Sequence, residues 1–472
     1  MSSNKFDPKS APIRFDPAAA FVSAGLSRDN QVALVPRLEA ARREVLAELD
    51  QARSKSAIGA EGQGGAAEII DLPERMLGDY RQRRGKSELG RILATAKRLR
   101  ETVDRVVTVG SESDCLAARA LFEACCHPYH NEQGRGDRGG RPRIYFAGSE
   151  FDNDALQGLL DLLGHGRTAS TIDDRWGVIA IGADGPATEL AVRPAEVSTD
   201  EPGGVSPRTA ATEPIARPVG QIGNAEDAEI AENLEASATL KVLLDALRQS
   251  CGGEDEAQAR LFVPVSRAGG PAVFSAVGLL PGSVMGLDVV RLLEGAAAMN
   301  ERFRTAPIGD NPPLDFAMVG QLMRNAHGTA ARRFAMWGRG LMTLVTWCER
   351  MRESRISDFK PQISDFKSEI HGLRINLVVE SVRRDRIVVG ATQHDDDQVD
   401  NLAGKTLPEL NAAAIQAAKA ADKAAGRPSV DIRLPALDEG ALGQLFQMLI
   451  LTTAIERRLA GVQERAPLSG RG

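Results

Sequence analysis

Leu38, Ala41, Val45 and Leu49 fall on one face of a helix, and Pro36 just before them suits its first turn. Leu89, Ile92, Ala96, Leu99 and Val103 repeat the pattern and run directly into an apolar stretch at 106–110, a helix-to-strand step. A turn at 111–114, a helix through 116–124, a strand at 143–147, a helix over 152–163 with an Asp or Asn cap, and a strand at 176–181 follow. This alternation predicts an α/β fold, a parallel sheet flanked by helices.

Residues 191–230 break the pattern. Pro, Gly, Ser, Thr, Ala and Glu dominate, prolines stand at 194, 202, 207, 214 and 218, and no aromatic residue occurs. That composition reads as a linker or disordered insertion. Periodicity returns with Leu234, Leu240, Leu243, Leu244 and Leu247, and a strand at 261–265 is expected to open a second α/β unit. Helices near 341–353, 407–425 and 437–459 and strands near 377–382, 387–389 and 430–434 complete it. The expected division is a helical arm (1–70), a first unit (71–190), the insertion (191–230), a helix linking or completing the first unit (231–255), and a second unit (256–472).

Composition narrows the class. At 472 residues and 43% hydrophobic content the chain can bury large cores. A net charge of -6 gives no general attraction to nucleic acid or to anionic membranes. No apolar run reaches the ~18 residues of a membrane span; the stretch 445–455 comes nearest and reads as a buried helix. Five cysteines with no repeated spacing, and no charged-then-apolar opening segment, point to reduced thiols in the cytoplasm. Cys125, Cys126, His127 and His130 lack a second pair at metal spacing, so no metal is assigned. His394 with Asp395, Asp396 and Asp397 reads as an exposed turn. The word Ile-Ser-Asp-Phe-Lys occurs at 356–360 and again at 363–367, a tandem duplication.

The chemistry-bearing segments are few. Residues 268–288 hold a glycine turn followed by Ser275-Ala-Val-Gly278-Leu-Leu-Pro281. Trp347 is followed six residues later by Glu353-Ser354, and Ser368-Glu-Ile-His371 comes next. Gly110-Ser-Glu-Ser-Asp114 leads into Cys-Leu-Ala-Ala-Arg119-Ala-Leu. Segments 127–132, 141–148, 152–163 and 402–406 complete the set, with Arg14-Phe-Asp16 near the start. Together they resemble the phosphoglucose isomerase family, bacterial type, over most of residues 10–462, and the chain is identified as a divergent member.

The resemblance implies two sugar isomerase (SIS) domains, each a flavodoxin-like three-layer sandwich, in a cytoplasmic homodimer that needs no cofactor. It implies interconversion of glucose 6-phosphate and fructose 6-phosphate through an enediol, in glycolysis and gluconeogenesis. Glu353 would move the proton between C1 and C2, and His371, contributed across the dimer interface, would assist ring opening. Gly110, Ser111, Ser113, Glu235, Arg267, Gly269 and Gly270 would surround the sugar phosphate.

Several positions depart from the family pattern. Where the family has an arginine after the glycine turn, this chain has Pro271 and Ala272 and is one residue shorter. No lysine follows Lys423, where the family carries a catalytic one, and Arg267 is the substitute cation at hand. The family's Gly-Ile-Gly-Gly-Ser phosphate loop is replaced by a turn holding Glu112 and Asp114. A carboxylate ~5 Å from a phosphate costs about 3 kcal/mol per unit charge at an effective dielectric of ~20, more than the ~0.3 to 1 kcal/mol of a helix N-terminus. The second phosphate loop aligns either with 181–189 or, preferably, with Leu234-Glu235-Ala236-Ser237; neither carries the family's hydroxyl donors. The expectation is therefore a family member with much reduced activity. The alternatives are a non-catalytic sugar-phosphate-binding or regulatory protein on the same fold, or a decayed paralogue.

Overall fold

The computed structural model describes residues 11–23, 26–57, 66–149, 152–164, 169–182, 225–252, 261–266, 272–328, 331–353, 372–390 and 402–461. The chain divides into two compact units. One comprises Arg98–Cys115 and Pro142–Arg267; the other comprises Met1–Lys97, Leu116–Arg141 and Ala268–Gly472.

The N-terminal arm runs β1 (Arg14–Asp16), α1 (Ala18–Ser23), α2 (Arg28–Ala57) and α3 (Ala66–Arg83), followed by α4 (Glu88–Thr102). Then come β2 (Arg105–Val109), α5 (Glu112–Cys125), β3 (Arg143–Ala147), α6 (Asn153–Leu163), β4 (Trp176–Ile181), α7 (Ala225–Ser250) and β5 (Phe262–Val265). The remainder is α8 (Ala276–Val284), α9 (Val289–Thr305), α10 (Pro312–His327), β6 (Arg332–Met336), α11 (Met342–Glu353), β7 (Leu373–Ser381), α12 (Leu407–Ala424), β8 (Ser429–Ala436) and α13 (Glu439–Leu459).

The first sheet has the order β3-β2-β4-β5, and every pairing is parallel. Val107, Val109, Trp176, Val178 and Ala180 pack with Leu163 of α6 and Leu243, Ala246 and Leu247 of α7 on one face. Val106 and Ile179, equally buried, belong to the opposite face by strand alternation. Burial on both faces is why these strands are apolar throughout rather than alternating. Asp152 caps α6, accepting the amides of Asp154 and Ala155 at 3.0 Å each.

The second sheet has the order β1-β8-β7-β6. β6, β7 and β8 are parallel, and β1 joins as an antiparallel edge, with Arg14 opposite Arg433 and Asp16 opposite Asp431. The arm is thus partly strand rather than wholly helical. Phe15 packs on Phe316 with ring centroids 5.3 Å apart, and the Ile13 carbonyl accepts from Arg302 at 2.7 Å. Beside this sheet, α13 packs along α9 and α10. The polar caps of Thr406 on α12 and Asp438 on α13 fix where those helices begin.

Three local readings change. The strand expected to open the second unit is the last strand of the first sheet, because residues 262–265 pair with 178–181. Pro36 lies inside α2, which begins eight residues earlier at Arg28; the turn before it is wet, with Val32 63% exposed, so the carbonyl that loses its donor can be hydrated. Residues 387–389 contribute one isolated bridge, Val388 with Thr406, instead of a strand.

Candidate active site

The order β3-β2-β4-β5 reverses direction between β2 and β4, and in open α/β sheets ligands bind at such a switch, beyond the carboxyl ends of the strands. Gly110 stands at that point. Its amide donates to Ala147 at 3.1 Å, and a Cβ there would lie 3.1 Å from Ile181 and 3.2 Å from Asp114. Gly148, at φ +96°, is tighter still: a Cβ would meet the Gly110 carbonyl at 2.9 Å and the Ala236 Cα at 3.2 Å. The ends of β2 and β3 and the helix α7 therefore converge at this edge. Glu235 is in α7 next to Ala236, and its side chain lies outside the described residues.

Ser111 opens α5. Its Oγ accepts the Asp114 amide at 3.2 Å and donates to Asp114 Oδ2 at 2.8 Å. Ser113 Oγ sits 2.8 Å from Ser111 Oγ. A hydroxyl has one proton, and Ser111 gives its own to Asp114, so the Ser113 hydroxyl donates to Ser111. The chain Ser113 to Ser111 to Asp114 directs the turn's hydroxyl donors at an internal carboxylate. Asp114 and Ser111 are both buried, whereas Glu112 is half-buried. The sequence displays the two acids; that one of them captures the serine protons is visible only in the structure.

In the other unit, Ser275 caps α8, accepting the Val277 amide at 3.3 Å. Every residue of α8 is buried except Ala276, which is half-buried. Gly278 of the Ser-Ala-Val-Gly step is dictated by contact, since a Cβ would come within 2.6 Å of the Val273 carbonyl. Phe274, just before the cap, meets Phe446 of α13 edge-on at 6.4 Å, and Trp347 of α11 meets the same ring at 4.4 Å. Phe446 of α13 thereby ties the signature segment to α11, the helix that carries Glu353. Burial of Cys348 pushes its thiol pKa well up, so it is packing rather than a nucleophile. Phe446 carries no motif, and sequence reading missed it.

Glu353 is the last residue of α11, and its side chain lies outside the described residues, as do His371, Arg267, Gly269 and Gly270 entirely. Gly110, Ser111 and Ser113 are the sequence-derived site residues whose geometry is given above. The five cysteines are free thiols. Burial raises Cys126 to about 12, and no group of three metal-ligating side chains forms among the described residues. No helix among them is long and apolar enough to cross a membrane.

Two largely parallel sheets flanked by helices define an α/β protein. The phosphoglucose isomerase family model matches residues 252–354, from the end of α7 through the signature to the end of α11. The chain is 25% identical over 404 residues to a glucose-6-phosphate isomerase of Bacillus cereus (strain AH187), covering 80% of each sequence. A hypothetical protein from Thermus thermophilus shares the fold at a TM-score of 0.63 and 20% identity, over 95% of this chain and 94% of that one. A glucose-6-phosphate isomerase from Chlamydia trachomatis superimposes at a TM-score of 0.50 and 16% identity, over 84% and 80%. These matches support a divergent member of the phosphoglucose isomerase family.

Proposed function

We propose that the protein is an aldose-ketose isomerase acting on glucose 6-phosphate and fructose 6-phosphate, cytoplasmic and homodimeric, with turnover at least ~10³-fold below a typical ~10 per second. The observation that carries this reading is α11: Glu353, where the family pattern puts its base, belongs to this helix, and Trp347, six residues before it, packs against Phe446. Glu353 moves the proton between C1 and C2, and His371 assists ring opening. Gly110, Glu235 and the 267–270 turn contribute to holding the sugar phosphate, with Arg267 as the cation nearest in sequence to the signature. The low rate follows from charge stabilisation, because loss of one preorganised group for a developing oxyanion costs ~10² to 10³, and Pro271 and Ala272 stand where the arginine would be.

The test is a coupled isomerase assay on purified protein beside its Glu353→Gln variant. Activity that disappears in the variant supports the proposal. Activity at tens per second would refute the reduced rate, and activity unchanged in the variant would refute the role of Glu353.

The Ser113 to Ser111 to Asp114 chain favours a second reading, a non-catalytic member that keeps the fold. No turnover above a mock-purified control, together with measurable binding of glucose 6-phosphate, would select it.

A further inference from the structure

A cavity of about 600 Å³ opens at the carboxyl edge of the second sheet. Trp337 beyond β6, Val379 and Ser381 at the end of β7, and Leu437 beyond β8 all line it. Its size is that of pockets for organic ligands, and the carboxyl edge of a parallel sheet is where such ligands sit.

The walls are built rather than incidental. The Trp337 indole N–H donates to Asn376 Oδ1 at 3.4 Å, and its carbonyl accepts from Asn411 Nδ2 at 3.2 Å. Asn376 in turn donates to Asp431 at 3.1 Å, and the Arg374 guanidinium lies 5.8 Å from the Trp337 ring centre. Trp337 is therefore held in one orientation. Leu407, Val382 and Ile387 present apolar surface at the mouth, 47%, 53% and 65% exposed, although nothing in an ordinary soluble surface calls for three such residues together.

The charge is equally one-sided. Arg383 is fixed by donating to the carbonyls of Ala124, at 2.8 Å, and Cys125. Arg384 and Arg386 also line the cavity, are exposed, and make no ion pair among the described residues. Asp385 is the one carboxylate in the described lining. Glu409 nearby accepts from the Thr406 amide at 2.8 Å and hydroxyl at 2.9 Å, and these bonds, with a smaller contribution from the Arg386 charge, hold its carboxyl below the usual range. Arginine forks match phosphate and carboxylate oxygens.

We propose that this cavity binds a small organic anion with a flat apolar body and a phosphate or carboxylate head. The body rests against Trp337, Val379 and Leu407, and the head on Arg384 and Arg386. The proposal does not depend on the isomerase reading.

The test uses 1-anilinonaphthalene-8-sulfonate, a flat aromatic anion, beside the uncharged N-phenyl-1-naphthylamine, with fluorescence as the readout on the full chain. Replacing Arg384 and Arg386 together by Ala should weaken the anionic dye at least about tenfold and leave the neutral dye unchanged. Both arginines are exposed and outside any ion pair among the described residues, so folding should be unaffected, as a thermal melt would verify. L407D should weaken both dyes. 1-Naphthyl phosphate or 1-naphthoate should displace the anionic dye, and whichever competes better identifies the head group. The proposal is overturned if the double variant binds the anionic dye as before, if it loses both dyes equally, or if neither competitor displaces the dye.

Discussion

In one unit the segments around Phe446 are held by aromatic edges and buried helix faces, while in the other the turn after Gly110 is held by two hydroxyls and a carboxylate. The first arrangement tolerates change, because apolar contacts need only shape and volume. The second does not, because each hydroxyl has a single proton and a new acceptor redirects it. With Glu112 and Asp114 in the turn, strand, turn and helix are in place and the hydroxyl donors are directed at Asp114. Framework and ligand chemistry can thus part company within one family, and resemblance in the packed regions is a better guide to fold than to rate.

The sharpest way to break this contrast is to attack the packed side. Trp347→Ala should cost about 3 to 5 kcal/mol, the range for deleting a large buried aromatic, whereas Ser111→Ala should cost about 1 kcal/mol. Urea denaturation of both variants decides it, and equal losses would show that the polar turn is as structural as the aromatic cluster.

A second test lies inside the packed unit, where one carboxylate resists burial. Burial pushes the Asp315 carboxyl from 3.8 to about 6, although the amides of Gly309 and Asn311 pull it down. The folded chain then holds this proton more tightly than the unfolded chain. Its contribution to stability is greatest below pH ~4, declines as pH rises to ~6, and is constant above that. The decline should total about 3 kcal/mol. Denaturation between pH 4 and 7, compared with Asp315→Asn, should show this slope in the parent alone; parallel curves would contradict it.

The smallest effect expected is on binding. Replacing the turn 111–114 by a glycine-rich sequence ending in serine removes two carboxylates and leaves a serine hydroxyl with no internal carboxylate to bond, and should tighten glucose 6-phosphate about tenfold by calorimetry. Unchanged affinity would show that the turn takes no part in holding phosphate.

Local periodicity made much of the framework legible. Leu89, Ile92, Ala96 and Leu99 share a face because a helix repeats every 3.6 residues, and all four are fully buried. Asp152 before α6 announced its cap, and the segment from Trp347 to Glu353 announced a helix. Strand partners were not legible in the same way. Nothing local distinguishes residues 262–265 as the last strand of one sheet from the first of another, since pairing depends on distant backbone. The edge role of β1 rests on β8, more than 400 residues away. Phe446 is an ordinary apolar position of an apolar helix until two other segments bring rings to it. The sequence by itself determined which residues carry charge and which stretches become helix or strand, because those follow from side-chain chemistry and short-range geometry. Only the tertiary structure decided that the proton of Ser111 goes to Asp114, because a hydrogen bond is assigned by the position of its acceptor in space.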